Sequence, residues 1–267
     1  MSSLASSVAR PGRDLVRQVL NVVLAVGQVV VTVLGYIVGS NSKFSSSTAA
    51  TSPIVPADYT FIVWSLIYAG ALVYAIYQAL PRQREDELLR RIGFYTASAY
   101  LATIVWLIAA QTGVAWFTVV CLFWILASLL GAFLQIIQWR TAFTQAQRWL
   151  VILPISIYTA WATIASIANP ASVAQESGVT SLLGLSATAW TLIMLLVGTG
   201  IAGFVTIRSR GNAGYALTFV WALIGIVVAN VVRSSNPPVA ILAGILAVVM
   251  VVLLSWARLT LRRQAAR

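Results

Sequence analysis

Residues Pro56–Leu80 read PADYTFIVWSLIYAGALVYAIYQAL. One carboxylate, Asp58, stands near the start, and the next charged residue is Arg82. An uncharged apolar run of this length meets the roughly 20 residues that a helix needs to cross the hydrocarbon of a bilayer. The run is continuous rather than alternating, so a helix fits and a barrel strand does not. Four rings lie close together in it: Tyr59, Phe61, Trp64 and Tyr68. They could anchor the helix at a membrane surface, fill space between helices, or line a ligand pocket. The mixed-charge stretch that follows, PRQREDELLRR, reads as a solvated cap on the next helix.

The whole chain repeats this pattern. Of its 267 residues 60% are hydrophobic and 9% charged, with a mean hydropathy of +0.91. A soluble domain would carry about a quarter charged residues, so the solvent implied is lipid. Eight spans are expected, at Val16–Gly39, Tyr59–Leu80, Ile92–Gln111, Val114–Gln138, Trp149–Ala168, Ser181–Ile207, Ala213–Val232 and Val239–Leu261. The fold class is therefore all-α, a polytopic membrane protein. Of the 17 basic residues, all but Lys43 and Arg233 fall on one side of this arrangement. The positive-inside rule then puts both termini in the cytoplasm, and the net charge of +11 needs no nucleic-acid partner. The apolar part of the first span exceeds a signal-peptide core, so it reads as a retained helix. Cys121 is alone and forms no internal disulfide.

Several chemistries are missing. The chain has no His, and no ionisable residue falls in the middle of an expected span. Proton relays and ion-coupled carriers usually need such groups. Histidine catalysis and His ligation of haem or zinc are excluded, and no metal is expected. No phosphate-binding loop or carboxylate pair is placed for hydrolysis, so no catalytic residue is assigned. What remains is aromatic: ten Trp and nine Tyr. Trp116, Trp139, Trp149 and Trp256 lie where interfacial belts form, whereas Trp106, Trp161 and Trp221 lie deeper. Asn21 and Gln28 are seven apart and share one face of the first helix, where interhelical hydrogen bonding is expected. Gly35–Gly39 has spacing for close helix contact, within the protein or in a homodimer.

Two motifs carry a resemblance. Pro56–Tyr68 gives P-x-x-Y-x-F-x-x-W-x-x-x-Y, and the fifth span gives Tyr158, Trp161, Ala165 and Asn169 as Y-x-x-W-x-x-x-A-x-x-x-N. Together they resemble the second and fifth helices of the TspO/MBR family, the tryptophan-rich sensory proteins related to the mitochondrial translocator protein. Trp106 and Trp116 match family tryptophans near the end of the third helix and the start of the fourth, and Pro154 lies a turn before the family's proline. There are departures. The region before Trp106 reads LATIVW without the family's Asn, FTVVCLFW lacks an acidic residue, and Tyr59 stands where Trp is frequent. The resemblance covers residues 15–170, so residues 1–170 read as a TspO-like five-helix bundle and 171–267 as a three-helix extension without counterpart in it. Thr218–Asn230 echoes both motifs weakly, as convergent helix composition would.

The resemblance implies a cavity for a lipophilic ligand such as a porphyrin or other tetrapyrrole, a sterol or a pigment, with sensing or transport attached. On that reading Tyr59, Phe61, Trp106, Trp116, Tyr158, Trp161, Ala165 and Asn169 line the site, and Trp64 and Tyr68 pack between helices. No cofactor is required, though a bound porphyrin fits. Expected partners are membrane lipids, the lipophilic molecule, and a homodimer mate or membrane-complex subunit. The expected membrane is a bacterial plasma membrane or a photosynthetic one. Three alternatives stay open: an assembly subunit of a larger complex, a facilitator for an uncharged small molecule, and an enzyme acting on a bound pigment.

Overall fold

The structure, a computed structural model, describes residues 11–38, 52–179, 181–182, 184–233 and 235–265. Gly39 of the Gly35–Gly39 pair, Lys43 and most of the loop between the first two spans lie outside the described residues. Among the described residues, eight helices are long and apolar enough to cross a membrane. They are α1 Pro11–Ile37, α2 Val63–Ala79, α3 Glu87–Thr112, α4 Ala115–Ile137, α5 Leu153–Glu176, α6 Ala187–Arg208, α7 Ala213–Val232 and α8 Pro237–Ala265. The chain is an all-α polytopic membrane protein.

The fifth and sixth spans differ most from the sequence reading. The fifth is expected to stop at Ala168, where hydropathy falls, but α5 runs through Pro170 to Glu176. It is also entered earlier, through a helical turn at Gln145–Gln147 and a wider π-turn at Arg148–Ile152. Pro154 has no N–H to give the preceding turn, which accounts for the widening. The sixth span is expected from Ser181, but Ser181–Leu182 and Leu185–Ser186 pair as a short antiparallel hairpin around Gly184. Gly184 has φ +75°, which a helix cannot take.

Helices α1, α2, α5, α4 and α3 close a ring, each packed on the next and α3 back on α1. Helix α7 lies against α5 from outside the ring, and α8 packs on both α6 and α7. The outward faces are Leu, Val, Ile and Phe, as lipid demands.

Helix α1 is polar on its inward side. Asp14, Arg17, Gln18, Asn21 and Gln28 are all buried, spaced along one stripe, while Val19, Val23, Val26, Val30 and Val33 face out. Sequence reasoning leaves Arg17 at the margin of the span; the structure buries it to 1% exposure. Its guanidinium donates to the carbonyls of Arg84 at 2.9 Å and Gln83 at 3.4 Å, in the turn between α2 and α3. Gln18 Nε2 donates to the Gln78 carbonyl at 2.8 Å, and Gln78 Nε2 returns a bond to the Gln18 carbonyl at 3.0 Å. These side chains satisfy carbonyls that the end of α2 would otherwise leave bare. Asp14 takes a two-pronged bond from Arg90, with Nη2 at 2.6 Å and Nε at 3.0 Å. Asn21 donates to the Gly93 carbonyl at 2.8 Å and accepts from Thr96 at 2.6 Å, and Thr96 also reaches the Tyr74 hydroxyl at 3.1 Å. Hydrogen bonds thus tie α1, α2 and α3 together at the arginine-rich end.

Helix α7 holds the segment that leads into α2. Residues Asp58–Ile62 form a 3-10 turn. The Ala57 N–H donates to the Gly225 carbonyl at 3.0 Å, and Trp221 Nε1 to the Thr60 carbonyl at 3.0 Å. Asn230 Nδ2 donates to the Pro53 carbonyl at 2.7 Å and Arg233 to the Val55 carbonyl at 2.8 Å. Gly225 permits the approach: a Cβ there would collide with Thr60 Cγ2 and lie 3.0 Å from Pro56 Cβ.

Two substitutions test these contacts. Gly93→Val places a side chain where Arg17 runs, since a Cβ at Gly93 would sit 2.5 Å from Arg17 Cδ. Overpacking of this kind costs about 1–3 kcal/mol, so Tm in detergent should fall by several degrees. Gly225→Ala should also lower Tm and speed hydrogen exchange at the Ala57 amide. Gly200→Ala, which meets nothing within 4 Å, should leave both unchanged or raise Tm through helix propensity.

Candidate functional site

The ring interior at the end away from the arginines is aromatic. Trp64 of α2 stands at its centre. Trp106 of α3 stacks on it with centroids 5.4 Å apart and planes 18° from parallel. Tyr158 and Trp161 of α5 meet it nearly edge-on at 6.1 and 6.4 Å, and Tyr68 lies 5.7 Å away on its own helix. Phe61 meets Trp161 edge-on at 5.5 Å. Offset and edge-on geometries are the favourable ones for aromatic pairs. The periodicity of α2 places Trp64 and Tyr68 on one side, and Phe61 precedes them in the 3-10 turn that leads into it. All three are only half-buried, so the wall they form keeps accessible surface.

The polar groups around this wall are few. The Tyr158 hydroxyl is hydrogen-bonded to Thr103 of α3. Thr32 of α1 donates to the Tyr68 hydroxyl at 3.2 Å. Trp161 is 2% exposed, and its Nε1 has no hydrogen-bond partner among the described residues. Gln28 is 0% exposed, and neither its Nε2 nor its Oε1 has a partner among them. It lies one turn below Thr32 on the inward stripe of α1. Towards the arginine-rich end lies a cavity of about 10 Å³ between Ile67, Ala71, Thr96, Tyr100 and Tyr158, among others. That is room for about one water molecule.

The sequence-predicted site residues divide into three groups. Phe61, Trp106, Tyr158 and Trp161 come together around Trp64. Ala165, one turn beyond Trp161, is half-buried against the same core. Tyr59 stands apart, 45% exposed, with its ring edge-on to Trp221 of α7 at 5.5 Å. Asn169 ties α5 to α4 by donating to Thr118 at 2.8 Å. Trp116 is 55% exposed at the start of α4, away from the cluster. The sequence reading gives Trp64 and Tyr68 to interhelical packing, and Trp64 does pack between helices, as the ring on which those of α3 and α5 converge. The spacing of the α2 aromatics shows that face; what it could not show is that α3 and α5 deliver their rings to the same depth. Gln28 reads from sequence as an interhelical hydrogen bonder. Its shared face with Asn21 is as expected; that its side-chain amide has no partner among the described residues is not.

No curated protein and no solved structure matches the chain. A family profile described as TSPO-like protein matches residues 18–256. The match runs through the five-helix ring and on into α6, α7 and most of α8, which the sequence reading sets outside the resemblance. With nearly the whole chain covered and eight membrane-spanning helices in place, this integral membrane protein belongs to the TSPO-like protein family.

Proposed function

We propose that the protein binds a flat lipophilic molecule, a porphyrin or a pigment or sterol of similar shape, against the aromatic wall of the five-helix ring, and serves as its membrane sensor or carrier. The observation that carries this reading is the convergence of rings from three helices on a half-buried Trp64. Trp106, Tyr158 and Trp161 are buried as in a packed core, but Phe61, Trp64 and Tyr68 keep accessible faces that offer stacking area to a planar ligand. Family membership supports a binding or sensing role of this kind. With no His in the chain, a tetrapyrrole would be held by stacking and peripheral contacts rather than by imidazole on its metal.

The two ends of the ring differ in what opening them would break. At the arginine-rich end the helices are joined by directional hydrogen bonds and one half-buried ion pair, for which hydrocarbon offers no substitute. At the aromatic end, rings can slide or swing while keeping part of their contact. Entry is therefore proposed at the aromatic end. By the positive-inside rule that end faces away from the cytoplasm, with both termini on the cytoplasmic side of a bacterial plasma membrane or its photosynthetic counterpart.

Protoporphyrin titration of the purified protein should quench tryptophan fluorescence saturably. Trp64→Ala and Trp161→Ala should each weaken binding by roughly fivefold or more, the loss of one stacked or edge-on ring with its buried area. Trp116→Ala and Trp256→Ala, both exposed and outside the cluster, should leave the affinity unchanged. Absence of saturable quenching in the unsubstituted protein would remove the reading.

A further inference from the structure

Gln28 presents an unusual arrangement for the interior of a membrane protein. Its primary amide is fully buried, with both polar atoms unpartnered among the described residues. The amides and hydroxyls on either side of it along the stripe are all engaged. Asn21, two turns below, bonds to Gly93 and Thr96, and Thr32, one turn above, bonds to Tyr68. Hydrocarbon supplies no water to satisfy a stray amide, so leaving both atoms bare is costly. Gly27, next to it in the chain, is packed closely on Ile104 of α3, a Cβ there falling 2.9 Å from the Ile104 Cδ1. Ile104 itself follows Thr103, the partner of Tyr158. Gln28 thus lies on the inward face at the level where the aromatic wall begins. From the far side of the wall, Trp161 brings a second unpartnered group, the N–H of its indole.

The geometry points to Gln28 as the residue that reads the ligand, selecting a planar molecule that carries a lactam edge, an N–H beside a C=O. This inference rests on the proposed binding of a flat ligand at the aromatic wall and adds which molecules that wall prefers. A glutamine amide offers one acceptor and one donor side by side. A ring amide in a flat conjugated molecule satisfies both at once, its N–H meeting Oε1 while its carbonyl accepts from Nε2. A sterol hydroxyl satisfies one of the two and places no plane on the rings. A closed porphyrin keeps its N–H groups at its centre, out of reach of a side chain at its rim. The Trp161 N–H adds a preference for a second acceptor oxygen on the opposite edge. Such pairing discriminates strongly, because an analogue without the N–H leaves a buried acceptor bare.

Three tricyclic probes of nearly equal size separate these terms: phenanthridinone, which has the lactam edge; N-methylphenanthridinone, which lacks its N–H; and phenanthrene, which lacks both polar groups. Their affinities are measured by fluorescence quenching on the full-length protein in nanodiscs, for the unsubstituted chain and for Gln28→Leu. Phenanthridinone should bind the unsubstituted chain at least about tenfold more tightly than the N-methyl compound. Gln28→Leu should erase that preference and leave phenanthrene binding unchanged. Its Tm should hold or rise, since no internal hydrogen bond is lost. Equal affinities for the lactam and its N-methyl analogue in the unsubstituted chain, with phenanthrene and protoporphyrin still bound, would overturn this inference alone. That result would mean that the amide is satisfied by water. The inference also falls if the lactam preference survives in Gln28→Leu, or if Tm drops, which would reveal a structural partner. If neither the three probes nor protoporphyrin binds, the aromatic-wall reading fails and this inference with it.

Discussion

Hydrocarbon offers no hydrogen bonds, so a polar group carried into this bundle is costly unless it is matched from within the protein. Helix α1 shows the consequence most plainly. Its inward stripe is made of charged and amide side chains, and its outward face of branched aliphatics. In water such a helix would be turned the other way. Here the stripe is what α2 and α3 assemble on: Arg17 caps the turn between them, Gln18 and Gln78 exchange bonds, and Asn21 pins Gly93. The Asp14–Arg90 pair, with Asp14 buried and Arg90 partly exposed, is weak evidence for net stability, because solvent screening and the desolvation of Asp14 offset its attraction. Its consequence is geometric, since it allows one register of α1 against α3.

That constraint divides the ring into two halves of different character. The half near the arginines is held by directional bonds whose loss would strand polar atoms. The other half is held by rings, whose contacts are broad and degrade gradually as they move. A planar guest can replace one ring face by another at small cost, whereas it could not replace the bond between Asn21 and Gly93. Gln28 stands at the boundary, with an amide that belongs to neither half.

Much of this was legible in the sequence, for identifiable reasons. Hydropathy and arginine placement indicate eight helices because lipid imposes both on any chain that crosses it. The Tyr158–Asn169 spacing puts Trp161 and Tyr158 on a common helix with a family likeness. The hairpin at Ser181–Ser186 escapes notice because its leucines are as apolar as a span, and the end of α5 because Pro170 and Glu176 look like an exit. The role of Trp64 is hidden because it depends on the relative depth of three helices, which no single periodicity encodes. The burial of Arg17 is hidden for a related reason. Gly93, far along the chain, vacates the room for its stem.

The extension gains its meaning from the same matching of polar groups. Residues 52–62 cross an apolar surface in irregular backbone, which leaves carbonyls at Pro53, Val55 and Thr60 in need of donors. Asn230, Arg233 and Trp221 supply them from α7 and its end, and Gly225 accepts the Ala57 amide in return. Phe61, which touches Trp161 across the aromatic wall, sits at the end of this strap. The position of one wall ring is therefore set partly by a helix outside the five-helix ring. Any motion that frees Phe61 must loosen bonds to α7 or carry α7 with it.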